Sequence, residues 1–166
     1  MKTRTFLLSV AGLLLATGTC FAAGALSVER EVTIDTSPAT VWKLVGNFNA
    51  IDVWHPAVLK SELQGQAGRT GARRLLTLDD GATRLEKLLS YSAAQRSYSY
   101  AIVESALPVA NYKATITLTP AEEGRTRMTW RSTFDAHGVS DEQATTIIGA
   151  LQDAGMAKLR ANFRQP

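Results

Sequence analysis

From Leu26 onward the hydrophobic positions follow two periods in turn, first of two residues and then of three to four. Leu26 to Ile34 reads Leu-Ser-Val-Glu-Arg-Glu-Val-Thr-Ile, β-branched and partly alternating, which predicts a first strand. Asp35-Thr36-Ser37-Pro38 stops it. Ser37 is a good N-cap, and Pro38 suits the first helical position, where its missing N–H costs nothing. Val41, Trp42, Leu44 and Val45 give a short helix an apolar face that Gly46-Asn47 ends, and Asn49 to Trp54 reads as a second short helix or turn stopped by Pro56. A run of strand signals follows. Val58 to Leu63 is one; Ala72 to Leu78 is the next, turned by Asp79-Asp80-Gly81 into Ala82 to Tyr91. Ser97 to Val103 puts Tyr98, Tyr100 and Ile102 on one face, and Tyr112 to Leu118 groups Tyr112, Ala114, Ile116 and Leu118. Arg127 to Phe134 does the same for Met128, Trp130, Ser132 and Phe134. The period then lengthens. Ser140 and Gln143 form a capping box, two acids follow Ser140, and Lys158, Arg160 and Arg164 suit the other end of the helix dipole. Ala144, Ile148, Leu151, Gly155 and Leu159 make an apolar stripe on a helix that runs to about Phe163.

The predicted order is one strand, two short helices, about six more strands and one long helix. Hairpin-length links make the sheet antiparallel. A sheet apolar on one face must be covered, and only the long helix is large enough to cover it. The fold class is therefore α+β: a curved antiparallel sheet of about seven strands around a long C-terminal helix. A curved sheet over a single helix does not fill completely, which implies an apolar cavity between them.

The segment before Leu26 has a different character. Lys2 and Arg4 form a basic start, Phe6 to Leu15 is apolar apart from Ser9 and Gly12, and Cys20-Phe21-Ala22 puts small residues at −3 and −1 of a cleavage site. That pattern predicts a secretory signal peptide over residues 1–22 and a mature domain over 23–166. The apolar run is shorter than the roughly 20 residues needed to span a bilayer, so no stable membrane insertion is expected after cleavage. Lipidation of Cys20 is the other reading, but Thr17 and Thr19 stand where a lipobox needs leucine and a small residue. Export implies a periplasmic protein. Cleavage after Ala22 removes the only cysteine, so no disulfide is available and the domain must rest on its core. Of 18 basic residues two precede that point, which leaves 16 against 15 acidic residues and no basic run. Nucleic acid and anionic membrane surfaces are accordingly not expected as partners.

Metal and nucleophile chemistry find little support. His55 and His137 are the only histidines, far apart and without ligands at metal spacing, so neither a metal nor another cofactor is expected. No nucleophile elbow is present. The loop Gly65-Gln66-Ala67-Gly68-Arg69-Thr70-Gly71 lacks the ending of a phosphate-binding loop and reads better as a flexible loop at a cavity mouth. Aromatic residues carry more information. Trp42, Trp54, Tyr98, Tyr100, Tyr112, Trp130 and Phe134 fall on elements that should face inward. Each alone is as readily core as wall; together they suit a ligand pocket, because indole and phenol rings combine apolar area with a polar handle. The polar candidates are His55, Arg74 and Glu86. If Asp79-Asp80-Gly81 is a three-residue turn with Gly81 left-handed, Leu78 pairs with Ala82 and Arg74 lies opposite Glu86, on a face shared with Leu76, Leu78 and Leu88. An exposed cross-strand ion pair is the ordinary outcome and the expectation taken first. A partly buried pair lining a cavity is the alternative.

The order of elements and several local motifs resemble the START-like superfamily (Bet v 1-like, SRPBCC, polyketide cyclase/dehydrase). The resemblance covers Leu26 to Phe163. It is carried by Val32-Thr33-Ile34-Asp35-Thr36-Ser37-Pro38-Ala39-Thr40-Val41-Trp42, by Trp54-His55-Pro56, by the glycine-punctuated loop Gly65 to Gly71, by Leu107-Pro108-Val109 and by Thr129-Trp130-Arg131-Ser132-Thr133-Phe134. With the signal peptide, the chain also resembles the periplasmic MxaD-like group associated with methanol oxidation. The resemblance implies a helix-grip fold, but such folds host carriers, sensors, cyclases and hydrolases. Three functions follow as expectations. The first is a binding or carrier protein for a hydrophobic small molecule (lipid, quinone or polyketide-like aromatic), held by Trp42, Trp54, Tyr100, Tyr112, Trp130 and Phe134 and oriented by His55, Arg74 or Glu86. The second is a cyclase or dehydratase, for which His55 or the Arg74–Glu86 pair are the available acid–base groups. The third is an accessory role beside a periplasmic protein partner such as an oxidoreductase. The first is preferred, and no catalytic residue is assigned.

Overall fold

The computed structural model describes residues 26–164; the signal-peptide expectation lies outside them. Strand β1 (Leu26–Ile34) leads into α1 (Pro38–Val45) and α2 (Ile51–Trp54). Six strands follow, β2 (Val58–Gln64), β3 (Arg73–Leu78), β4 (Thr83–Ser92), β5 (Ser97–Glu104), β6 (Val109–Pro120) and β7 (Thr126–Ala136), and α3 (Asp141–Asn162) closes the fold. All seven strands form one antiparallel sheet in the order β1-β7-β6-β5-β4-β3-β2. β2 to β7 is thus a meander, and β1 adds to its far side by pairing with β7. This is the expected α+β helix-grip arrangement.

The helix starts use the chemistry the sequence offered. The Ser37 hydroxyl accepts the Thr40 amide at 3.3 Å with Pro38 at the first position of α1. At α3 the Gln143 amide donates to the Ser140 hydroxyl at 3.2 Å, and the Ser140 amide donates to the Gln143 side chain at 3.1 Å, a reciprocal box. α3 lies over β1 and reaches β7, while α1 packs on β6 and β7 and α2 on β2 and α3. The core is continuous from Ile34, Val41 and Val45 through Ile116, Leu118 and Met128 to Ile148 and Leu159. Among the described residues no helix is long and apolar enough to cross a membrane.

Bulges bend the sheet around the helix. Register shifts fall at Val58/Lys60 in β2, at two places in β4, and at Ala110/Lys113 in β6. They explain where strict alternation misleads. The β2 bulge turns Leu59 out to 66% exposure. In β6 the extra residue is Asn111, at φ 55, and the strand begins at Val109 rather than at Tyr112. The α3 stripe is also rotated slightly from its sequence reading. Leu151 is half-buried, while Gln152 and Met156 are buried beside Ile148, Gly155 and Leu159. Gln152 is tolerated there because its amide donates to the Ser132 hydroxyl on β7 at 3.1 Å.

Candidate ligand-binding interior

The turn between β3 and β4 sets the register of the polar groups. Gly81 sits at φ 84, the Leu78 amide donates to the Ala82 carbonyl at 2.9 Å, and Asp80 Oδ1 accepts the Ala82 amide at 2.9 Å. That three-residue turn places Arg74 opposite Glu86. The pair faces inward, with side-chain exposures of 0% and 2%, which corrects the expectation of an exposed pair. The reason is the face it shares with Leu76 and Leu88, both fully buried. Arg74 Nε donates to Glu86 Oε2 at 2.7 Å; Nη2 is 2.6 Å from the same oxygen, close enough for an ion pair but poorly aligned for a hydrogen bond. Arg74 Nη1 donates to the Phe48 carbonyl, and the guanidinium lies 4.1 Å from the Phe48 ring centroid and 5.3 Å from that of Tyr100. Burial, the largest single influence, would lower the pKa of Arg74, but the Glu86 charge, the Tyr98 and Tyr100 phenols and the hydrogen bond to Glu86 together outweigh it, and the group stays raised above its ordinary value. Arg84, two residues before Glu86, reaches Glu86 Oε1 only at 3.9 Å.

An unbroken series of ring contacts crosses the interior. Tyr91 meets Trp42 at 5.6 Å between centroids, Trp42 meets Tyr98 at 6.3 Å, and Tyr98 meets Tyr100 at 6.2 Å. Tyr100 meets Tyr112 at 6.3 Å, and Tyr112 stacks on Phe134 at 6.1 Å. Phe48 braces the middle against Tyr98 and Tyr100. The series begins at a cleft of about 680 Å³ between α1 and the glycine-punctuated loop, where Trp42, Phe48, Leu63, Gly68, Arg69 and Tyr91 stand among the lining residues. Gly46 is required there, because a Cβ would lie 2.5 Å from the Trp42 indole. Burial pushes the Tyr98 and Tyr112 phenols up to about 12 and the Tyr100 phenol well above its ordinary value, so the interior carries neutral hydroxyls.

His55 caps the C-terminal end of α2 and belongs to a closed joint. Its Nδ1 accepts the Ala57 amide at 3.3 Å, which leaves Nε2 to donate to the Leu151 carbonyl of α3 at 3.1 Å. Burial pushes its pKa down to about 4, against the smaller upward pull of the Leu151 carbonyl. A neutral imidazole with both nitrogens engaged joins α2 to α3 and has no free position for acid–base work. Trp54 and Trp130 pack edge to face beside it at 5.7 Å. Gly155 makes the joint possible: a Cβ there would come 2.7 Å from His55 Cδ2 and 3.1 Å from Trp130 Cζ3.

Residues 25–164 match the family described as polyketide cyclase / dehydrase and lipid transport. The chain belongs to this family. Solved structures agree in fold. XoxI from Bacillus cereus is similar at 30% identity and a TM-score of 0.78, over 82% of this chain and 94% of that one. An uncharacterized protein from Bacillus thuringiensis has 29% identity and a TM-score of 0.78, over 83% and 98%. A protein from Nitrosospira multiformis has 25% identity and a TM-score of 0.72, over 84% and 97%. The likeness to XoxI is consistent with the MxaD-like group that the sequence resembles. A comparison with curated proteins finds no match.

Within this polyketide cyclase/dehydrase fold the nine residues singled out from the sequence divide. Arg74, Glu86, Tyr100, Tyr112 and Phe134 come together on the inner face of the sheet, with Tyr112 also reaching a second cavity beside the Asn111 bulge. Trp54, His55 and Trp130 form the joint under α3. Trp42 alone among the nine lines the cleft by the glycine loop. Among the described residues no three metal-ligating side chains stand together. Sequence reasoning missed Arg84, Gln152 and Phe48. Arg84 had a readable signal, since Arg84-x-Glu86-x-Leu88 is strict alternation on the inward face. Gln152 sits at helical spacing between Ile148 and Met156. Phe48 lies between elements, where no periodicity points.

Proposed function

We propose that this family member is a periplasmic binding or carrier protein for a hydrophobic small molecule, a lipid, quinone or polyketide-like aromatic, taken up between the sheet and α3. The ring series from Tyr91 and Trp42 to Phe134 is the observation that carries this reading. It links a surface cleft to the middle of the domain by apolar faces with polar edges, the composition that small-molecule sites favour. Unpaired polar atoms support it. Among the described residues the Trp54 and Trp130 Nε1 atoms and Gln152 Oε1 are buried and find no hydrogen-bond partner. Each such group costs about 1–3 kcal/mol in a sealed core, whereas a ligand carbonyl or hydroxyl would partner it. The periplasmic assignment rests on the leading segment alone.

The test is to purify the protein from a periplasmic fraction without detergent and identify what extracts with it. A lipid or quinone in the extract, an apolar dye binding at fixed stoichiometry, and displacement of the dye by that compound are expected. A protein that binds no apolar probe, yet coelutes with a periplasmic dehydrogenase, would replace this reading with the accessory role. Intact mass tests the compartment: a chain beginning near Ala23 is expected, and retained Met1 or a lipid-modified Cys20 would overturn it.

A further inference from the structure

Among the described residues, the interior holds a cation, Arg84, that lacks a full counter-charge. Arg74 engages Glu86 through two nitrogens. Arg84 shares the same inward face of β4, but meets that carboxylate only at 3.9 Å, and among the described residues its buried Nε has no hydrogen-bond partner. Its side chain is 8% exposed. Two guanidiniums around one carboxylate leave the group net positive. A buried, underpaired charge is unfavourable, and its retention calls for an explanation.

The surroundings supply one. Arg84 lines a cavity of about 200 Å³ bounded by Ala57, Leu78, Ala82 and Leu107, between the β3–β4 turn and the β5–β6 loop. The walls are mostly apolar. Asp79 and Asp80 stand at the same cavity, but among the described residues no ion pair joins either to Arg84. Asp80 is exposed and already accepts the Ala82 amide. The free Nε edge of a guanidinium takes a carboxylate bidentately, through two parallel hydrogen bonds.

We propose that Arg84 receives the carboxylate of an amphiphilic ligand whose apolar body lies along the aromatic interior. The inference rests on the carrier reading and narrows it to apolar acids. A bound carboxylate would bring the cluster to two cations and two anions. A neutral ligand of equal length would gain the apolar burial alone and leave Arg84 as it is.

Decanoate and 1-decanol share a chain and differ in the head group, so their affinities separate the two contributions. Each is titrated into wild type, Arg84→Gln and Arg84→Lys, with tryptophan fluorescence or calorimetry as the readout. Wild type should prefer decanoate. Arg84→Gln should weaken decanoate by about ten- to a hundredfold, the weight of a charge-assisted contact, and leave decanol unchanged. Arg84→Lys should keep a preference for the acid. The ratio of the two affinities within one variant does not depend on how much of that variant is folded. Equal losses for both probes, or undiminished decanoate binding by Arg84→Gln, would overturn the assignment while leaving the carrier reading intact. Failure of both probes to bind wild type would overturn both.

Discussion

Under α3, His55 engages both ring nitrogens, with the Ala57 amide and the Leu151 carbonyl, and Trp130 and Gly155 close around it. On the inner face of β4, Arg84 is almost as deeply buried, touches Glu86 at the limit of an ion pair and opens onto a cavity. Both are ionisable side chains in a domain that has few of them inside. The first is neutral and satisfied, so it fastens two helices. The second is charged and underpaired, so it is available to something else. Burial of a polar group therefore does not by itself mark a site; the number of its partners does.

Glu86 is where the charged region breaks most easily. Glu86→Gln leaves Arg74 and Arg84 as two buried cations with no counter-ion, and stability should fall by about 3–5 kcal/mol. Replacing both members of the pair, Arg74→Met with Glu86→Leu, should be less damaging than Glu86→Gln alone, because the first cation leaves with the anion. Urea denaturation of the three proteins measures both statements. A loss from Glu86→Gln below about 1 kcal/mol would mean that water screens the cluster.

The closed joint should show itself through pH. His55 titrates near 6.5 when unfolded and near 4 when folded. Between those values the unfolded chain binds a proton that the folded chain refuses. Stability from this group is therefore complete above pH 6.5 and falls as the pH drops toward 4, by about 3 kcal/mol in all. His55→Gln should flatten that part of the profile and lower the plateau. Parallel profiles for the two proteins would show that the histidine protonates without unfolding the joint.

How much of this was legible depends on which physical rule governs each feature. The strand order and α3 were readable because periodicity and caps act locally: Ser140 and Gln143 announce the helix in four residues. The Arg74–Glu86 register was readable because one turn residue, Gly81, fixes it. Its burial was not. Alternation says which side chains share a face, not whether that face is covered, and the cover comes from Phe48 and from aromatic residues on other strands. Likewise Trp54 and Trp130 read as a pocket wall, while their contact with His55 and Gly155 depends on α3 docking from about a hundred residues away. The bulges in β2 and β6 left no signature that alternation could detect.

Gly155→Ala adds a single methyl to the joint. That methyl would stand 2.7 Å from the His55 ring, which is fixed at both nitrogens, and 3.1 Å from Trp130. Overpacking of this kind costs about 1–3 kcal/mol. The His55 bond to Leu151 should lengthen with it, which weakens an upward pull on the imidazole, lowers the folded pKa further and shifts the acid limb of the stability profile. A variant with unchanged melting and an unchanged profile would mean that α3 slides to make room, and the joint would no longer count as closed.

The smallest expected effect separates the two regions best. Arg84→Met removes a guanidinium whose Nε has no partner among the described residues and whose ion pair is distant, and keeps most of the apolar stem beside the cavity that Leu78 and Leu107 also line. If Arg84 served the fold as His55 does, its loss should cost about as much as breaking a buried pair, some 3–5 kcal/mol. If it is held for a ligand, the ligand-free protein should change by less than about 1 kcal/mol, or gain stability, because an uncompensated charge has gone. Glu86 remains paired with Arg74 in the variant, so no new orphan is created. Thermal melts of ligand-free wild type and Arg84→Met decide it. A large loss would return Arg84 to the scaffold, while a neutral or stabilising result would leave it as a buried charge that the fold itself does not need.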